Sequence, residues 1–321
     1  MGIREIPRHI CEAVWHEKIN ESYGRESGYR RRIPVLKCKD VLQKQKQIVR
    51  KSNIQWCDFS WNIARGCTKL GADCKFCYMY RDSLGSKRYN PLEIKRTKTV
   101  FNMPLKIKET KSNSWDGRPL VFTCSLTDFF HEGIDSFRNE AWDIIRKCPH
   151  LIFQILTKRP ERITACLPAD WGDGWHNVWL GTSCGSQEST YRIHDLLAVK
   201  AKTKFLSLEP LHGEIDLSDI YGLWDKEKGA NQPETLALLG IDWVIVGGES
   251  GNEIGKYRYR PCDIKWIENI VSVCKTNNVP VFVKQFGTFL AKQMGMKKHG
   301  GDIVEFPEHL QIRQFPNTKN K

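Results

Sequence analysis

The sequence predicts an α/β protein built as a full or partial (β/α) barrel, and three observations carry that expectation. Seven short apolar runs recur along the chain, each closing in polar residues and followed by a helical or irregular stretch. Strands alternating with helices imply a parallel sheet, because a parallel crossover needs a dozen or more residues and is usually a helix. Three cysteines crowd into the loop after the first run, where such a barrel has its mouth.

The first strand is expected over residues 54–61, where Ile54-Gln55-Trp56-Cys57-Asp58-Phe59-Ser60-Trp61 alternates at period two. The others are expected over residues 120–124, 151–156, 178–180, 204–208, 243–246 and 279–283. Helices are expected over 137–147, 160–167, 190–199 and 262–277; the last carries the stripe Ile264, Ile267, Ile270, Val271 and Cys274. The strand ends present Asp128, Lys158, Arg159, Ser183, Glu209, Glu249, Lys284 and Gln285. That much polarity at matching positions marks a functional face, since barrel chemistry sits at the C-terminal ends of strands.

Around this barrel-like domain, residues 51–290, lie two additions. Residues 1–50 form a basic N-terminal extension with Arg30-Arg31-Arg32 and a short helix expected over 35–49. Residues 291–321 read as an irregular C-terminal tail, a strap over the surface, and residues 221–238 as a loop insertion.

Composition narrows the function classes. A chain of 321 residues with 40% hydrophobic content buries a real core. No apolar run approaches the roughly 18 residues of a membrane span, and the start lacks a signal core, so a cytoplasmic protein without a membrane partner is expected. The net charge of +13 suggests a polyanionic partner, nucleic acid being the usual one, against the plainer reading of a solvated basic surface. Most of the twelve cysteines are scattered, several within apolar runs (Cys124, Cys148, Cys274), where the thiol acts as a small hydrophobe. A disulfide framework is not expected.

The cysteine loop is Cys67-Thr68-Lys69-Leu70-Gly71-Ala72-Asp73-Cys74-Lys75-Phe76-Cys77-Tyr78, with six residues and then two between the thiols. Three readings stand open: a cluster held by three thiolates, a zinc site, or a redox dithiol at Cys74 and Cys77. Zinc wants a fourth donor. Cys57 shares strand parity with Phe59 and Trp61 and lies about five residues, roughly 16 Å, below the strand end, which makes it a poor one.

Two other motifs compete for attention. Gly181-Thr182-Ser183-Cys184-Gly185 matches a nucleophile elbow, with His212, His299 and His309 downstream, but no glycine-rich oxyanion loop follows an early strand. Gly247-Gly248-Glu249-Ser250-Gly251 looks like a phosphate loop without the spacing of one. Trp171 and Trp175, in a polar loop, offer either stacking faces or a hinge packed on the barrel.

Several motifs run from the first strand onward: Trp61-Asn62 with Gly66-Cys67-Thr68-Lys69 and Cys74-Lys75-Phe76-Cys77-Tyr78, Leu126-Thr127-Asp128-Phe129-Phe130-His131, and Leu156-Thr157-Lys158-Arg159-Pro160. Asn177-Val178-Trp179-Leu180-Gly181, Ser207-Leu208-Glu209-Pro210-Leu211, the segment from Trp243 to Gly251 and Lys284-Gln285-Phe286-Gly287 follow them. In combination, over about residues 54–316, they resemble the phage Gp37/Gp68-type family (the DUF5131 proteins), which are similar to radical S-adenosylmethionine enzymes. The first cysteine gap is six residues where radical-enzyme loops have three, and residues 1–50 lie outside the likeness.

The resemblance implies a radical-enzyme-like barrel in which Cys67, Cys74 and Cys77 hold a [4Fe–4S] cluster. One iron is left open to S-adenosylmethionine, whose reductive cleavage gives a 5′-deoxyadenosyl radical. It further implies that Asp128 or Glu209 meets the cofactor's amine or ribose hydroxyls, and that Lys158 or Arg159 meets its carboxylate. The loop that carries Glu249, at its strand's end, is expected to bring backbone amides near the cofactor. An electron donor is then a required partner. Nucleic acid or a nucleotide is the leading substrate class, and the alternative is a non-catalytic, metal- or cluster-stabilised nucleic-acid-binding protein.

Overall fold

The computed structural model describes residues 49, 51–80, 90–112, 114–115, 117–217, 240–254 and 258–317. The triple arginine at 30–32, the helix expected over 35–49 (apart from Val49) and the insertion expected over 221–238 lie outside the described residues.

All seven expected strands form. They are β1 (Phe59–Trp61), β4 (Leu120–Thr123), β5 (Ile152–Thr157), β6 (Val178–Ser183), β7 (Thr203–Leu211), β8 (Trp243–Gly248) and β9 (Val281–Gln285); β2 (Ala64–Arg65) and β3 (Lys95–Arg96) make a separate antiparallel ribbon. Chain order is also spatial order, β1-β4-β5-β6-β7-β8-β9, and each of the six pairings is parallel. The result is a seven-strand parallel half-barrel with β1 and β9 as its edges. The crossovers carry α1 (Arg138–Lys147), α2 (Ile163–Cys166), α3 (Tyr191–Ala198) and α4 (Ile264–Thr276), and α5 (Gly287–Gln293) follows β9. The helix expected over 160–167 splits into a 3-10 turn at Pro160–Arg162 and the single turn of α2. Pro160 fits that first turn because it lacks the N–H that a helix start leaves unused.

Strand parity sorts the core into two layers. Phe59, Trp61, Phe153, Ile155, Leu180, Leu206, Val244 and Val283 face the helices, among Trp142, Ile145 and Ile270. The alternate residues Leu120, Phe122, Ile152, Trp179, Phe205, Trp243, Ile245 and Phe282 face the concave side. Cys57 departs from its expected parity. Residues 54–57 form a turn, with the Cys57 N–H donating to Ile54 O at 3.3 Å, so the strand begins only at Phe59. Cys57 therefore packs beside Trp56 in the concave cluster rather than with Phe59 and Trp61.

The floor of the concave side is aromatic. Trp243 is fully buried, meets Trp179 and Phe205 at ring separations of 5.9 and 5.7 Å, and stacks on Phe315 at 5.4 Å. Phe315 belongs to the tail, which straps the free edge of β9: Val283 N–H donates to Ile312 O at 2.9 Å and Gln314 N–H to Val281 O at 3.0 Å. Trp243→Ala is expected to cost about 3–5 kcal/mol in a denaturant titration, since no neighbour can fill an indole-sized void. A loss below about 1 kcal/mol would mean that the floor does not stabilise the sheet. No helix among the described residues is long and apolar enough to cross a membrane.

Candidate functional site

The cysteine loop leaves β1 at the C-terminal edge of the sheet and is fastened from both sides. On the near side Gly66 N–H donates to Leu126 O at 3.1 Å and Cys67 N–H to Pro91 O at 2.9 Å. Gly66 has φ 99, and a Cβ there would stand 2.2 Å from Glu93 O, so only glycine fits. The Tyr80 hydroxyl donates to Cys67 O and that of Tyr78 to Ser125 O. Arg159 Nη2 donates to Thr68 Oγ1 at 2.6 Å, and His131 Nε2 reaches the same oxygen at 3.0 Å. His131 Nδ1 accepts from Gly133 N–H, which puts the ring hydrogen on Nε2. Burial, and then the Arg159 charge, depresses the pKa of this imidazole and keeps it neutral.

On the far side Asp73 is the anchor. Its carboxylate is buried between Arg192 of α3 and His212, whose Nε2 lies 2.7 Å from Oδ1. Burial alone would raise its pKa; the hydrogen bonds from His212 and Arg192 outweigh that and hold it at about 2. Arg260 Nη1 adds a bond to Ala72 O at 2.9 Å. Asp73, His131, Arg192, His212 and Arg260 are absent from the sequence-derived site. Asp73 carries a weak signal as a lone acid between cysteines, but Arg192 lies 119 residues away and has none.

The three thiols are half-buried and electrostatically coupled. Burial, then the negative charge of Asp128, pushes the Cys67 thiol up to about 12, with Arg159 opposing, and burial raises Cys77 as well. Cys74 and Cys77 both act on Cys67. Among the described residues no group of three or more His, Cys, Asp or Glu stands in an arrangement that could hold a metal ion. The donor set thus fits a three-thiolate cluster in kind and number, but not in arrangement. Other donors nearby are engaged elsewhere: Asp73 by Arg192 and His212, and His131 by Thr68 and Gly133.

The eight polar strand-end residues fall into two groups. Asp128 accepts from Thr157 Oγ1 at 2.7 Å, Phe130 N–H at 3.0 Å and Lys158 N–H at 2.9 Å, with Arg159 at 3.7 Å. Glu209 pairs with Lys284 at 2.6 Å across the sheet. Glu249 is clamped by Arg260 through Nε at 2.8 Å and Nη2 at 2.7 Å. Ser183 Oγ donates to Glu209 O and Gln285 Nε2 to Gly248 O. These seven, Arg159 included, fasten strand ends to one another or to the adjoining loops. Among the described residues the Lys158 side chain has no hydrogen-bond or ion-pair partner.

The competing motifs find structural uses. Ser183, the elbow's serine, is buried within β6, and His212 serves Asp73. A Cβ on Gly181 would meet Phe205 at 2.5 Å, and one on Gly185 would meet Pro210 O at 2.5 Å, so both glycines are close-packing positions. The same holds for Gly248, where a Cβ would stand 2.2 Å from Phe286 O. Trp171 is buried, donates to Lys200 O at 2.7 Å and packs with Trp142 and Trp175.

A family model described as Protein of unknown function (DUF5131) matches residues 51–311. No curated protein and no solved structure matches the chain. The chain belongs to the DUF5131 family.

Proposed function

We propose that this member of the DUF5131 family is a radical S-adenosylmethionine-type enzyme in which Cys67, Cys74 and Cys77 hold a [4Fe–4S] cluster. The observation that supports it is three thiols on one loop at the C-terminal edge of a parallel half-barrel, with the neighbouring Asp73 and His131 engaged by other described residues. When bound, such a cluster supplies the electron that cleaves S-adenosylmethionine to methionine and a 5′-deoxyadenosyl radical.

The chain's own residues hold and shield. Arg159 and His131 fix Thr68, and with it the backbone of Cys67; Asp73 and Ala72 fix the segment that leads into Cys74 and Cys77. Between these anchors the loop turns at Gly71, whose φ of 65 is a conformation that favours glycine. The Glu209–Lys284 and Glu249–Arg260 pairs stiffen the opposite wall, and the aromatic floor closes the concave side from below.

The test is anaerobic reconstitution with iron and sulfide, followed by reduction in the presence of S-adenosylmethionine. Formation of 5′-deoxyadenosine is expected, with a slow uncoupled rate when substrate is omitted. Iron uptake with no 5′-deoxyadenosine, alongside salt-sensitive binding of nucleic acid, would instead make the chain a cluster-stabilised binding protein.

A further inference from the structure

Among the described residues, four buried or half-buried carboxylates at the mouth of the half-barrel each have a cationic partner. Asp73 stands against Arg192, Asp128 against Arg159, Glu209 against Lys284 and Glu249 against Arg260. Lys158 is left over. Its backbone N–H donates to Asp128, but its half-buried ammonium makes no hydrogen bond or ion pair to any described residue.

Lys158 follows the last residue of β5 in a bend, at the C-terminal edge of the sheet. Arg159, one residue on, turns to Thr68. Lys158 is also close to the cysteine loop: burial pushes the Cys77 thiol up, and the Lys158 charge is among the effects opposing it. The Lys158 charge also acts on Asp73, but that carboxylate is already taken up by Arg192 and His212, so the ammonium keeps hydrogen-bonding capacity that an arriving anion can use.

We propose that Lys158 receives a phosphate group of the substrate, so that the mouth takes a phosphorylated compound: a nucleotide, free or within a nucleic acid. A lysine is a mobile point charge suited to phosphate, whereas paired recognition of a carboxylate favours the planar fork of arginine, and the arginines here are engaged. The exposed Lys69 and Lys75 carry positive charge outward along the loop, and Tyr78, 42% exposed, offers a ring at its rim. The proposal rests on the mouth being the substrate site of the enzyme proposed above, and its binding step needs no cluster.

The test uses the full chain without added iron. Binding of a 5′-mononucleotide is measured by calorimetry, and binding of a labelled single-stranded oligonucleotide by fluorescence anisotropy over a salt series. Lys158→Met is expected to weaken the mononucleotide roughly tenfold or more, with Lys158→Arg partly restoring it. If the phosphate belongs to a nucleic acid, the oligonucleotide binds more tightly than the mononucleotide and Lys158→Met lowers its salt slope by about one. If it belongs to a free nucleotide, the oligonucleotide does not compete. Lys158→Met removes no hydrogen bond or ion pair among the described residues, so it is expected to stay folded with only a small loss from the missing charge near Asp73, and thermal melting checks this. Three results would overturn the proposal: no nucleotide binding by wild type, equal binding by wild type and Lys158→Met, or a Lys158→Met defect confined to S-adenosylmethionine. Nucleotide binding that depends on Lys158 without 5′-deoxyadenosine formation would sink the radical mechanism and leave the phosphate site standing.

Discussion

Replacing any one of Cys67, Cys74 and Cys77 with alanine is expected to abolish cluster assembly. A three-thiolate site has no spare donor, and the candidates nearby are engaged: Asp73 is held by Arg192 and His212, and His131 by Thr68 and Gly133. Cys57 sits in the aromatic floor, where burial pushes its thiol up to about 11. Iron in the reconstituted protein should fall from roughly four per chain to near zero in each variant, and the visible absorbance with it. Cys274→Ala, which removes a thiol buried in α4, should lose some stability and keep its iron. Full iron loading of Cys67→Ala would exclude this loop as the holder of a cluster.

Asp73→Ala is expected to destabilise the fold by about 3–5 kcal/mol, because it strands a buried charge. Arg192 would retain Ser183 O at 2.9 Å, its Nε already lacks a partner, and His212 would lose its acceptor. Asp73→Asn keeps the shape and one accepting oxygen, with an NH2 donor in place of the other, and should lose less. The pH dependence separates charge from packing. The folded pKa of about 2 lies below the ordinary 3.8, so the stabilisation is fully present above 3.8 and is lost as pH falls toward 2. The gap in unfolding free energy between wild type and Asp73→Asn should therefore narrow across that window. A gap independent of pH would assign the effect to packing. Since Asp73 adjoins Cys74, the same variant should also slow cluster assembly.

Much of the fold is legible in the sequence because apolar runs and polar ends follow from burial. β4 to β9 appear within a few residues of their expected bounds, since each is apolar on both faces and ends where side chains meet the mouth. β1 is the exception: Ile54 to Cys57 alternates like a strand, yet Ser52 Oγ and Ile54 O capture its backbone N–H groups in a turn. The ribbon of β2 and β3 and the short α5 are too brief for periodicity to register. Within the site, the eight polar strand ends are legible as positions. Their pairings are not: Glu209 meets Lys284 only once β7 and β9 are placed about β8, and Glu249 meets Arg260 through an irregular connection whose course carries no periodicity. The fastenings of the cysteine loop are the least legible, as Asp73 reaches partners 119 and 139 residues away.

The most direct test of the central claim is electron paramagnetic resonance of the anaerobically reconstituted, reduced protein, recorded with and without S-adenosylmethionine. A [4Fe–4S] cluster on Cys67, Cys74 and Cys77 with one open iron predicts a reduced-cluster signal that changes when S-adenosylmethionine is added. A protein that takes up zinc in place of iron, or a cluster signal indifferent to S-adenosylmethionine, would contradict it.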